Sequence, residues 1–557
     1  MKGALVPAAG WLVHYQRPWL RADLPAGLST AAVVIPKAMA YATVAGLPVE
    51  VGLYTALVPM AVYAVLGTSR VLSVSTSSTI GILCASALSA AVPHAEPKAL
   101  LAASATLAVL VGGILVLARL LRLGSVANFI SDPVLTGFKA GVGLVIVLDQ
   151  VPKLLGVHYD KVGWVRDLAS LVRHLPETSM LTLVVGAVTL AVIVGLEHFA
   201  PRAPSPLLAV AGGIAASYFL GLQASGVAVV GHIPGGLPPF VAPQVSLLGI
   251  LWPAAVGIAL MSFTETIAAG RAFTGRGEPR PEPNQELVAT GAANIVGGLF
   301  GAMPGGGGTS QTAVNRMAGA RTQLAALVTA AVALATLLFL APLMGLLPQA
   351  TLAAVVIAFS VGLISPEGFR EVHRYRTHEF VWALVACGGV VLLGTLNGIF
   401  AAVILSVLSL FYMANNPPVY VMGRKRGTDA FRPRSTEHPD DETYPGLLIL
   451  RTEGRVYFGN AQNIGDRMWG LVHELKPAVL LLDCRGNPSF EFTAIKMLEE
   501  AEAKLREEGV TLWLAALSPE ALVLVQRSAL GARLGRERMF FTLAQAVERY
   551  RATRPPA

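Results

Sequence analysis

About fourteen stretches of predominantly apolar residues succeed one another between residues 24 and 415, each near the roughly 20 residues that a helix needs to cross a bilayer. The expected spans run 24–45, 48–67, 73–92, 99–121 and 128–150, then 179–197, 206–222, 248–269, 286–303, 309–325, 326–346, 349–364, 378–396 and 398–415. Only 14% of the residues are charged, 54% are hydrophobic and the mean hydropathy is +0.61. Soluble domains carry about 25% charged residues, and a soluble fold could not hide this much apolar surface. The expected class is a polytopic all-α membrane domain. Ionic residues crowd into the chain after about 415, so a small soluble domain is expected to follow. The expected divisions are an N-terminal segment 1–23, a transmembrane domain 24–415, a linker 416–443 and an α/β domain 444–557.

The net charge of +8 reads as Lys and Arg gathered in cytoplasmic loops rather than as a nucleic-acid surface. With a cytoplasmic N-terminus, the inside loops hold Arg70, Arg119, Arg122, Arg202, Arg271, Arg276, Arg280, Arg316, Arg321, Arg370, Arg374, Arg376, Arg424, Lys425 and Arg426. Outside loops around Val49, Val229, Pro304, Pro348 and Asn397 hold none. One outside loop dissents, with Lys153, Lys161, Arg166 and Arg173. No signal peptide is read in the first twenty residues, where Pro7, His14, Arg17 and Pro18 interrupt any apolar run. Trp11, Tyr15 and Trp19 suggest an interfacial helix instead. Cys84, Cys387 and Cys484 match no disulfide or metal spacing and read as packing residues. The chain is expected to sit in a bacterial-type inner membrane, with its C-terminal domain cytoplasmic.

Seven spans per half would force the two halves, about 24–222 and 248–415, into opposite orientations. The third span of each half is interrupted. In the first, Gly67-Thr68-Ser69-Arg70 leads into Ser73, Ser75, Thr76, Ser77, Ser78 and Thr79. In the second, Met303-Pro304 and four glycines, Gly305 to Gly308, lead into Thr309, Ser310, Gln311 and Thr312. A helix that begins in mid-membrane exposes its first N–H groups and the positive end of its dipole, which suits an anion. Small residues also permit close helix packing, but two such segments at equivalent places favour a substrate site, with Thr76, Ser77, Ser78, Gly307, Gly308, Thr309, Ser310 and Gln311 as candidates.

Ionisable residues inside apolar spans are costly and count as functional candidates. Glu265, in Ser262-Phe263-Thr264-Glu265-Thr266, opens the list. A carboxylate withdrawn from water can bind and release a proton, as proton-coupled symport requires; a static partner for a Lys or an internal water is the equal alternative. Lys37 follows Pro36, a mid-span break that would bring Lys37 and Tyr41 to a cavity. Lys139 and Asp149 are weaker candidates, and His14, His94, His158, His174 and His232 fall near expected ends or loops. Without a Walker sequence, HExxH or nucleophile elbow, neither ATP-driven pumping nor an enzyme is expected, nor a cofactor or metal.

These residues also resemble the sulfate permease (SulP) anion transporters, whose relatives include plant sulfate transporters, bacterial bicarbonate transporters and mammalian prestin. The resemblance rests on Gly52-Leu53-Tyr54-Thr55-Ala56 with Tyr63 and Gly67-Thr68-Ser69-Arg70, on Ser131-Asp132-Pro133-Val134-Leu135-Thr136-Gly137-Phe138, and on Asn284-Gln285-Glu286-Leu287 with Thr322-Gln323-Leu324. Val49 and Val51 depart from the usual Pro and aromatic. The resemblance implies a fourteen-segment inverted repeat in which spans one to four and eight to eleven form a core that moves against a gate, with substrate between spans three and ten. It also implies a homodimer. By position, Lys37 stands where many relatives have Gln, Tyr41 where they have an aromatic, Ser77 where several have Phe and Gln311 where chloride-handling animal relatives have Arg. Loss of that last charge argues against chloride and for an oxyanion or small dicarboxylate.

After residue 444 the pattern alternates strands (446–450, 456–459, 478–483, 511–516) with helices (461–475, 493–508). This tail resembles the STAS domain that ends most SulP proteins, and its expected role is regulatory or supportive of folding. Thr493 lies near the turn where related antagonists carry a phosphorylated Ser, and reads as a helix N-cap. The leading functional reading is a secondary active transporter of small anions, a dicarboxylate, sulfate or bicarbonate, by symport with a proton or sodium. It leans to a dicarboxylate. An exchanger or channel is the alternative, and a membrane sensor ranks last.

Overall fold

The structure, a computed structural model, describes residues 7–13, 15–93, 96–124, 131–159, 164–200, 203–275 and 278–553. His14, His94, Lys161, Arg202 and Arg276 lie outside the described residues. The chain divides into two compact units, Met1–Val407 and Leu408–Ala557.

The first unit opens with α1 (Ala8–Val13) and α2 (Arg17–Val44). Next, α3 (Val49–Leu66) leads through strand β1 (Val74–Ser75) into α4 (Ser78–Ala91), followed by α5 (Pro97–Leu120) and α6 (Asp132–Leu155). A short α7 (Trp164–His174) then precedes α8 (Met180–Phe199) and α9 (Ser205–Leu220). The series now recurs: α10 (Leu248–Ala272), α11 (Pro283–Leu299), and strand β2 (Gly306–Gly307) into α12 (Thr309–Met317). After these come α13 (Leu324–Ala335), a π-turn at 336–340 and α14 (Ala341–Met344). The unit continues with α15 (Gln349–Val361), a second short helix α16 (Pro366–Tyr375) and α17 (Thr377–Leu393), and the boundary at Val407 falls within α18 (Thr395–Asn415).

Among the described residues, eight helices are long and apolar enough to cross a membrane, and four shorter apolar ones join them. With α11 and α12 they supply the fourteen expected segments. The third segment of each half is not a full span. α4 has 14 residues and α12 has 9, about 21 and 14 Å at 1.5 Å per residue, against about 30 Å of hydrocarbon. Each is preceded by extended chain, so the interruption expected in both third spans takes the form of a two-residue strand followed by a half-helix, and α12 stops at Met317 instead of running on to 325. Serine, threonine and glycine at 73–78 and 305–310 favour this break because they hydrogen-bond or release the backbone locally. The expected interfacial segment is two helices: Trp11 lies in α1 and Trp19 in α2, with Tyr15 edge-on to both at 6.4 and 5.8 Å between ring centroids.

Two helix groups follow from the contacts. α2, α3, α4 and α5 pack among α10, α11, α12 and α13, whereas α6, α8, α15 and α17 pack on one another. Small residues let backbones approach in the first group. A Cβ on Gly112 of α5 would lie 2.4 Å from the Gly291 carbonyl oxygen of α11.

The second unit is an α/β domain with β3 (Val419–Arg424), β4 (Phe431–Pro433), β5 (Leu447–Thr452), α19 (Ala461–Leu475), β6 (Val479–Asp483) and α20 (Phe492–Glu507). It ends with β7 (Thr511–Ala515), α21 (Pro519–Arg527), α22 (Ala529–Leu534), β8 (Met539–Phe540) and α23 (Leu543–Thr553). The sheet order is β4-β3-β5-β6-β7-β8, parallel from β5 to β8 and antiparallel at β3. Alternation builds two cores, as it must in a parallel sheet covered on both faces. Leu448, Leu450, Leu480, Leu482, Leu512 and Leu514 join one cluster with α19 and α20; Leu447, Ile449, Leu481 and Trp513 join the other with α23.

Three expectations for this unit are corrected. The stretch 416–443 is no linker, because it supplies β3 and β4 with buried Met422 and Phe431. The expected strand 456–459 is reduced to a single bridge, Val456 to Phe490. Glu491, not Thr493, occupies the N-cap of α20.

Candidate functional site

The two interrupted segments meet. β1 and β2 pair antiparallel, Val74 opposite Gly307 and Ser75 opposite Gly306. The Ser73 carbonyl accepts from the Gly308 amide at 3.1 Å and from Gln311 Nε2 at 2.8 Å, while Ser75 Oγ donates to Gln311 Oε1 at 3.1 Å. Gly305 is held on both sides by Asn294, its amide donating to Oδ1 at 2.8 Å and its carbonyl accepting from Nδ2 at 3.0 Å. Buried backbone without such partners would cost several kcal/mol inside a membrane.

This crossing explains the glycine run. A Cβ on Gly307 would stand 2.7 Å from Thr266 Cα, and the Gly307 amide already donates to Thr266 Oγ1 at 2.9 Å. Gly307 is therefore a packing glycine and not, as expected, a residue of the binding surface. The Gly308 amide is likewise spent on Ser73, although Gly308 borders the cavity. Gln311 also borders it, with both ends of its amide engaged in the crossing.

Both half-helices begin at one cavity of about 570 Å³. Lys37, Tyr41, Thr76, Ser77, Ser78, Gly308, Thr309, Ser310, Gln311 and Glu265 all line it. Lys37 is buried in α2, donates to Ser310 Oγ and lies 3.9 Å from the centre of the Phe359 ring. Ser77 caps α4: its Oγ accepts from the Ile80 amide at 3.2 Å and donates to Glu265 Oε2 at 2.8 Å. Thr76 Oγ1 is buried and has no hydrogen-bond partner among the described residues. Other first-turn amides of α4 and α12 have no acceptor within their own helices. The cavity thus offers backbone and hydroxyl donors at two positive helix ends, one buried cation and one carboxylate at the lip of α4. Among the described residues no cluster fit to hold a metal ion is present.

Lys139, Thr136, Glu197, Phe359 and Ser365 border the same cavity from helices of the other group or their ends. Lys139 is a weak candidate by sequence, and Glu197 carries only the signal of an acid near the end of an apolar span. Phe359 had none to give. Asp149 does not line the cavity and accepts from Gln150 Nε2 at 2.6 Å.

Buried carboxylates anchor the loops at the ends of the crossing. Glu286 accepts from Tyr63 Oη at 2.7 Å and from the Thr68 amide and hydroxyl at 2.9 and 2.5 Å. Asp23 accepts from the Arg321 and Thr322 amides at 2.7 and 3.1 Å and from Thr322 Oγ1 at 2.6 Å. Tyr63, Thr68, Glu286 and Thr322 all stand in the blocks that resemble the sulfate permeases, and each has a mechanical reason to be there.

A sequence model described as the sulfate permease family matches residues 20–386, and one for the STAS domain matches residues 438–546. The chain belongs to the sulfate permease family. Among its relatives, a probable sulfate transporter of Mycobacterium tuberculosis is 34% identical over 555 residues, spanning 98% of this chain and 99% of the relative. High affinity sulfate transporter 1 of Stylosanthes hamata is 29% identical over 98% of this chain and 86% of its own length. The fold also matches murine Solute Carrier 26 family member A9, an anion transporter in the inward-facing state. That match has a TM-score of 0.87 at 22% identity, covering 98% of this chain and 94% of the other. The transmembrane domain of a cyanobacterial bicarbonate transporter matches with a TM-score of 0.62 at 24% identity, over 70% of this chain and 98% of that one. Membership in the sulfate permease family makes this chain a multi-pass membrane transporter of anions and not an enzyme.

Proposed function

We propose that the chain is a secondary active transporter that carries a small oxyanion of the sulfate class together with a proton. In this reading the α4–α12 crossing belongs to a core that moves against a gate containing α6, α8 and α15. The observation that carries the proposal is the hydrogen bond from Ser77 Oγ to Glu265 Oε2 at 2.8 Å, which sets a carboxylate at the positive end where the anion is to bind. Two negative charges about 4 Å apart repel by about 4 kcal/mol at an effective dielectric near 20, or about a thousandfold in affinity. Anion binding therefore favours protonated Glu265, and by linkage protonation favours the anion to the same degree. Lys37 and the Thr76 hydroxyl supply donors for the bound oxyanion. Relatives named as sulfate transporters favour sulfate over the dicarboxylate and bicarbonate alternatives. The proposed setting is a homodimer in the inner membrane, with the STAS domain cytoplasmic.

The test is uptake of labelled sulfate, succinate and bicarbonate into proteoliposomes, with and without an inward proton gradient, for wild type and Glu265→Gln. The gradient is expected to drive accumulation of one anion in the wild type, and Glu265→Gln to keep uptake but lose the drive. Wild-type uptake indifferent to the gradient would overturn symport and leave exchange or channel flux.

A further inference from the structure

Helix α7 carries Arg166 and Arg173, the described arginines of the one outside loop that breaks the distribution of charge along the chain. It joins the fifth and sixth spans of the first half, and α16 joins the fifth and sixth spans of the second. The two short helices are therefore equivalent elements of the repeat, on opposite sides of the membrane. One face of α7 turns inward, where Leu171 is only 9% exposed. The outward face is apolar: Val165 is 60% exposed, Leu168 40% and Val172 59%. At 100° per residue these three side chains share a sector of about 60°. Arg166 and Arg173 share the neighbouring sector, about 10 Å apart along the axis.

We propose that α7 lies in the headgroup layer, with Val165, Leu168 and Val172 in the acyl boundary and Arg166 and Arg173 on phosphates of anionic phospholipids. An exposed apolar stripe beside a cationic edge is the pattern of a helix that lies in the interface plane. Continuity supports the lipid as occupant, because α8, which follows α7, exposes Val184 and Val188 on its own surface at 54% and 56%. The two dissenting arginines are then headgroup ligands rather than a breach of the orientation.

The test uses the full chain in nanodiscs, with Cys387→Ala to remove the half-exposed thiol and a nitroxide label on Leu168→Cys or, separately, on Arg173→Cys. In membranes with about a third anionic phospholipid, the label at 168 is expected to collide severalfold more with oxygen than with a water-soluble nickel chelate, and the label at 173 the reverse. Zwitterionic lipid, or Arg166→Gln with Arg173→Gln, is expected to raise nickel accessibility at 168 severalfold. Water-like collisions at 168 would overturn the proposal, as would shielding from both reagents, which means protein covers the stripe. Equal depth in both lipids and in the double variant would refute the phosphate contacts.

Discussion

At Lys37 one side chain ties α2 to Ser310 of α12 and to the Phe359 ring of α15. Charged hydrogen bonds contribute about 1.5–3 kcal/mol, so Lys37→Gln is expected to raise the KM for the anion roughly 10- to 100-fold in proteoliposome uptake, with the folded protein recovered in normal yield. Gly307 answers to a different constraint, space. Gly307→Ala must push Thr266 away, and overpacking of this kind costs about 1–3 kcal/mol; a lowered melting temperature of the purified protein measures it. Cys484 gives a check outside the membrane. Burial, helped by the Asp483 carboxylate beside it, pushes its thiol up to about 12. The thiolate is the reactive form, so Cys484 in the folded protein is expected to resist alkylation at pH 8 and to react once denatured. Alkylation at equal rates in both states would contradict its burial.

At the scale of elements, the half-helices depend on what holds the chain before them. Neither strand of the crossing has more than two residues, so side chains from α10, α11 and α12 complete its hydrogen bonding. Asn294 serves both backbone groups of Gly305, and Ser262 Oγ also donates to the carbonyl at 2.7 Å. Asn294→Ala strands the Gly305 amide in a buried site, at about 1–3 kcal/mol, while the carbonyl keeps Ser262. The expected result is a lowered melting temperature together with loss of transport, whereas Asn294→Asp, which keeps an acceptor for the Gly305 amide, is expected to lose less. Glu286 fixes the loop at Thr68 in the same manner.

For the whole molecule, the C-terminal unit has its own two cores. A fragment starting at residue 417 is expected to unfold cooperatively in urea. One starting at residue 444 loses β3 and β4 with buried Met422 and Phe431, each contributing about 1.5–3 kcal/mol. That loss of about 3–6 kcal/mol is a large share of a domain stability of about 5–15 kcal/mol, so the shorter fragment is expected to be unfolded or aggregated by circular dichroism. Equal stability of the two would show that β3 and β4 are dispensable. A deletion meant to test the tail's role in transport should accordingly start before Val419, because a cut at 430 leaves β3 without its partners.

Much of this was readable along the chain because membrane solvation acts on each segment separately. Apolar run lengths set the spans, and the odd number per half implied their inversion. The Ser/Thr and Gly interruptions marked where helices start in mid-membrane, since backbone hydrogen bonding there is decided within a few residues. What tertiary structure alone decided was which donors remain for a ligand. The amides of Gly307 and Gly308 look available in sequence, yet the Thr266 hydroxyl of α10 takes the first and the Ser73 carbonyl of the distant crossing segment takes the second. Glu197 and Phe359 reach the cavity, and β3 joins β5, through pairings between residues far apart in the chain. Such pairings depend on packing geometry, which no local pattern of residue types encodes.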